Sequence, residues 1–176
     1  MIMRRGEALL LPASVPFVWF TLCSTFLLSM GLNILVPEAS PWLPDLTLLV
    51  VTFWAMHQPR HVGMSAAFIF GLLSDVQQSA LLGQHALTYS LGAYFAIHLQ
   101  RRLAYFSAGQ QAIQLVPVLV GLSALQWFIR WLSDSVAPSW SMFLAPVFEV
   151  VLWPVLDWVL LAPQRRPPDQ DDHRPL

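Results

Sequence analysis

The sequence predicts an all-α polytopic membrane protein with six transmembrane helices and both termini on the cytoplasmic side. Three observations predict it. The 176-residue chain is 56% hydrophobic and only 11% charged, whereas soluble domains carry about 25% charged residues. The apolar residues fall in blocks separated by short polar gaps, the pattern of repeated bilayer crossings. All nine basic residues are Arg, and eight of them lie in gaps that alternate along the chain.

The six blocks are residues 15–36, 43–57, 62–77, 81–99, 112–132 and 143–162. A hydrocarbon core of about 30 Å needs roughly 20 helical residues. The first, fifth and sixth blocks reach that length. The second and third are short, and would span only with flanking residues or a locally thinned bilayer. The first block follows Arg4 and Arg5 as a signal peptide would. It is longer than the ~7–15 residues of a signal core, and no A-x-A-like cleavage pattern follows. It reads as an uncleaved helix. Cys23, the single cysteine, lies mid-block and is expected to be a buried, inert thiol.

The gaps set the orientation. "MRRGE", "HQPRH", "LQRRLAYF" and "QRRPPDQDDHRP" fall on one side. "PEASPWLPD", "DVQQSALLGQ" and "SDSVAPSWS" fall on the other, with Glu38, Asp45, Asp75 and Asp134, and only Arg130 near them. The positive-inside rule places the Arg-rich side in the cytoplasm. Trp42, Trp131 and Trp140 fall near the expected outer boundaries, where amphipathic rings settle. The expected organisation is a cytoplasmic segment over residues 1–14, a transmembrane domain over 15–162, and a Pro-rich, charged, disordered tail over 163–176.

Two stripes mark helix faces. Thr21, Thr25, Ser29 and Asn33 recur every four residues in the first block, which aligns them on one side of a helix. Small and hydroxyl residues in a membrane favour close helix packing or binding of a partner helix; a substrate-lining face is the other reading. Gly63, Ala67, Gly71 and Asp75 repeat that spacing in the third block. Asp75 thus shares a face with three small residues and points away from lipid. It lies about 20 Å along its helix, near the outer interface. An acid there serves either as a joint at the chain reversal around Gly83, accepting backbone N–H bonds or bonding a Ser, Thr or His, or as a cation or proton site. The joint is favoured, because no second acid is near it in sequence.

Glu149 is the deepest acid, with Trp153 and Asp157 on the same face of the last block. An intramembrane carboxylate is expected to be paired. Arg130, near the outer end of the preceding block, is the expected partner in a buried ion pair. His57 and His61 are separated by Pro59, which breaks the helix a metal pair would need. His85 and His98 are isolated. No GxSxG, HExxH or phosphate-cradling loop occurs. No catalytic residue, metal site or cofactor is therefore expected, and nothing points to nucleic acid.

"PDLTLLVVTFWAM", then "RHVGMSAAFIFGLLSDVQQSALLGQHALTYSLGAYFA", then an Arg pair and a later Trp153-Pro154, resemble the bacterial rod shape-determining protein MreD family. The resemblance covers residues 42–104, and the rest by length and layout. It carries signature positions onto Pro44, Asp45, Gly71, Asp75, Leu82, Gly83, Ala86 and Leu87. It implies a non-enzymatic scaffold of the cell-elongation (Rod) complex in the bacterial inner membrane. The implied direct partner is the bitopic protein MreC. MreB, RodA and a class B penicillin-binding transpeptidase are implied indirectly, all serving lateral peptidoglycan synthesis. The resemblance also implies a fold similar to the substrate-binding subunit of energy-coupling-factor vitamin transporters. The rival reading follows from that likeness: a small-molecule-binding membrane subunit.

Overall fold

The computed structural model describes residues 13–36, 43–134 and 143–164. Trp42, Trp140, Glu38, nearly all of the N-terminal segment and all but the first two residues of the expected tail lie outside the described residues. Six α-helices follow in order: α1 (Val15–Leu35), α2 (Leu46–His57), α3 (Met64–Gln77), α4 (Gln84–Leu103), α5 (Ala108–Asp134) and α6 (Leu144–Leu161). A short 3₁₀ turn, Ala162–Gln164, closes α6. No strand occurs among the described residues.

By length and composition α1, α5 and α6 are able to cross a membrane, while α2 and α3 are shorter apolar helices. α4 is 20 residues long but more polar, from Gln84 and His85 to Arg101 and Arg102 in its last turn. It starts at Gln84 rather than at residue 81, because Gly83 turns left-handed with φ 103°, a conformation open to Gly at little cost. It also runs past the Arg pair to Leu103, so the polar residues at that end are helical.

α2 is the surprise of the packing. Ten of its twelve residues are buried, so it is enclosed by protein and meets little lipid. It packs on α1, α3, α4 and α6. A helix apolar on all sides is stable when other helices cover all sides, which accounts for a length of only about 18 Å. α4 is the second central helix, packed against α2, α3 and α5.

The tightest approach is between α3 and α4. A Cβ added at Gly71 would lie 2.3 Å from the Ala86 Cα and 2.6 Å from its backbone N. Ala67 and Asp75 on the same face are fully buried, and Gly63 is half-buried. The small-residue stripe of α3 is thus spent largely inside the protein, under α4.

On α1 the inward face carries Val18, Thr21 and Leu22. Cys23 lies on the opposite side and is exposed, which corrects the expectation of a buried thiol. Two residues along a helix turn a side chain by about 200°, so a position beside Thr21 and Leu22 in sequence faces outward.

Candidate functional site

The register of the helices follows from their hydrogen bonds. The Trp54 indole N–H donates to the Thr21 hydroxyl at 2.9 Å. α1 and α2 are antiparallel, so Ser29, eight residues beyond Thr21, stands level with Leu46, eight before Trp54. The rest of α1 overhangs the start of α2. Tyr89 donates to Asp45, and the Asp45 N–H donates to Glu149. α4 and α6 therefore begin about five residues, or about 8 Å, beyond α2. Among the described residues the backbone of α1 comes close to neither α5 nor α6. A short central helix ringed by longer ones leaves a polar cavity of about 370 Å³ at this end, with Asp45 and Pro44 in its lining.

Asp45 caps α2. Its Oδ1 accepts from the Leu48 N–H at 3.0 Å, one of the four donors that a helix start leaves unpaired. The Tyr89 hydroxyl donates to both of its oxygens at 2.8 Å. The Ser74 hydroxyl lies 3.1 Å from the same phenol oxygen. One phenol thereby ties α2, α3 and α4 together.

Asp75 does the same for α4 from another helix. Its Oδ2 accepts from the Gly83 N–H at 2.8 Å and from the Ala86 N–H at 3.4 Å. Its Oδ1 accepts from the His85 N–H at 2.7 Å and lies 2.9 Å from the His85 ring Nδ1. Asp75 is 0% exposed. Its carboxylate occupies the electropositive start of α4 and joins it to the end of α3.

Glu149 is 2% exposed. Its Oε1 accepts from the Asp45 N–H at 3.1 Å, and its Oε2 has no hydrogen-bond partner. This corrects the expected ion pair with Arg130. The Glu149 carboxylate is held by the start of α2, whose backbone reaches it first. The Arg130 guanidinium sits 5.4 Å from the Trp127 ring centre. Arg130 and Glu149 do line the same cavity. Gln126, one turn before Arg130 on α5, also lines it, with its amide Nε2 buried and without an acceptor.

The α1 stripe divides. Thr21 is a packing residue bonded to Trp54. Thr25 turns back to the Thr21 carbonyl at 2.7 Å. Ser29 and Asn33 line the cavity. Of the signature positions, Pro44, Asp45 and Asp75 lie at or beside the cavity, and Gly83 shapes the turn. Leu87 is exposed. Trp131 is also exposed, on α5.

Sequence reasoning passed over Tyr89, Ser74 and Gln126. Tyr89 follows His85 by four residues, so both share a face of α4, and Ser74 adjoins Asp75. Those spacings carried a signal. Nothing local marked Gln126.

Six helices, three of them long and apolar enough to span, with polar groups gathered at one end of the bundle, define a multi-pass membrane protein. Residues 14–161 match the family described as rod shape-determining protein MreD. The chain belongs to that family, and with it has a role in rod-shape determination. No solved structure matches the chain.

Proposed function

We propose that the chain is a non-enzymatic scaffold of the cell-elongation complex in the bacterial inner membrane, supporting lateral peptidoglycan synthesis through an MreC-like bitopic partner. MreB, RodA and a class B penicillin-binding transpeptidase would be reached through that partner. The observation that carries this is the use made of the two signature acids. Asp45 and Asp75 are both committed to helix starts, α2 and α4. Acids engaged in this way hold a shape, fixing where two helices begin.

In this reading all six helices form the transmembrane domain of residues 15–162, and both termini are cytoplasmic. The alternation of Arg-rich gaps supports that orientation. The cavity then opens on the outer side. The α3 stripe is covered by α4, so the partner's single helix would meet the outward apolar faces of α1 or α6, where Phe20, Leu27, Phe148 and Val151 are exposed. The anionic inner leaflet would hold Arg101 and Arg102, each contributing about 1 kcal/mol.

A second reading, a small-molecule-binding subunit similar to those of vitamin transporters, is favoured by the polar cavity of about 370 Å³, within the usual size of a ligand site. One experiment separates the two. The chain is crosslinked and purified from mild detergent, in cells depleted of their native copy. Recovery of an MreC-like protein with the elongation synthase, and rounding of cells on depletion, sustains the scaffold. Recovery with ATPase subunits and a small molecule instead would overturn it.

A further inference from the structure

The cavity is polar in an ordered way. Its floor and α6 side carry the acids Asp45 and Glu149, and its α5 wall carries Gln126 and Arg130 one turn apart. Each side also has a buried group that the protein leaves unbonded: Glu149 Oε2, an acceptor, and Gln126 Nε2, a donor. Glu149 is almost wholly buried, at 2% exposed, and lines the cavity. Buried polar groups are seldom left unpaired, and a carboxylate least of all. A molecule satisfying both must present an N–H donor to the acidic side and an oxygen acceptor to the α5 side.

We propose that this cavity binds a primary ammonium set beside an oxyanion, with the ammonium on Glu149 and the oxyanion on the Gln126 wall. A phosphoethanolamine group has that chemistry, either as a soluble zwitterion or as the head of a membrane lipid. The cavity lies at one end of the helices, which in the six-span reading is the depth of lipid headgroups, and α1, on one side of it, makes no close backbone approach to α5 or α6 on the other. This rests on the second reading's premise that the cavity is a ligand site, and is independent of the scaffold role.

The test uses the full chain purified in detergent. Thermal unfolding is followed with phosphoethanolamine, phosphocholine, dioleoyl phosphatidylethanolamine and dioleoyl phosphatidylcholine added in turn. Phosphocholine and its lipid keep the oxyanion but have no N–H. Both ethanolamine probes should raise the unfolding midpoint in a dose-dependent way if a soluble solute is accepted; only the lipid should if the headgroup is the ligand. The choline probes should fall short by at least about tenfold in affinity. The isosteric Glu149→Gln should abolish the preference for ethanolamine, whereas Gln126→Leu should weaken the ethanolamine and choline probes alike and leave the preference between them. Equal response to choline and ethanolamine, no response to either, an unchanged preference in Glu149→Gln, or an unchanged response to every probe in Gln126→Leu overturns the proposal. A co-purified small molecule of other chemistry, identified by mass spectrometry, would overturn this ligand class while sustaining the second reading.

Discussion

Asp75 and His85 are joined twice: one carboxylate oxygen, Oδ1, meets both the backbone N–H of His85 at 2.7 Å and its ring Nδ1 at 2.9 Å. The second oxygen takes the Gly83 N–H. A carboxylate from the end of α3 thereby caps the start of α4, in the place of a side chain of α4 itself.

The first prediction follows from that cap. Asp75→Ala strands several backbone donors in the protein interior and should cost about 3–5 kcal/mol. His85→Ala removes one bond and leaves the backbone cap in place, so it should cost less, about 1–3 kcal/mol. Thermal unfolding in detergent compares them. Equal losses would mean that the ring contact, not the cap, holds the joint.

Gly71 tests the α3–α4 contact. Gly71→Ala drives a methyl into the Ala86 backbone, which has no flexible end to move aside, and should cost about 1–3 kcal/mol. Gly121→Ala meets nothing within 4 Å and should be neutral or stabilising by about 0.5–1 kcal/mol. A Gly71→Ala protein that unfolds at the wild-type temperature would refute the close approach.

Tyr89 joins three helices through one oxygen. Tyr89→Phe should cost about 1.5–3 kcal/mol, the range for a bond to a charged group. A double-mutant cycle with Asp45→Asn should return a coupling above about 0.5 kcal/mol. Strict additivity would show that the phenol and the α2 cap act separately.

The α1 stripe yields a contrast between neighbours. Thr21→Val leaves the Trp54 indole N–H buried without an acceptor, and should cost about 1–3 kcal/mol. Thr25→Val removes only a bond back to its own helix, which contributes little. Unfolding temperatures that fall equally in both would argue against the Trp54 bond as the reason Thr21 faces inward.

Much of the fold was legible in the chain. Hydropathy blocks located all six helices, because a long run of apolar residues leaves few other structures. The four-residue spacing of Gly63, Ala67, Gly71 and Asp75 marked the packed face of α3, because helix geometry alone brings such residues into line. The sequence also points to Asp75 as a joint, since a turn with Gly83 follows it.

What stayed out of reach depends on how the helices sit side by side. Glu149 was paired with Arg130 on matching depth, but sequence carries no lateral position, and the start of α2 lies closer. The block around Cys23 suggests a buried thiol, yet a block has no inside until its neighbours are placed, and Cys23 is exposed. The cavity has no motif at all. It arises because α2 is shorter than the helices around it and starts deeper. Composition and periodicity therefore determined the class, the helices and the packed face of α3, each a property of one helix at a time. The tertiary structure decided which acid meets which donor and where the cavity opens, because those depend on the relative heights of separate helices.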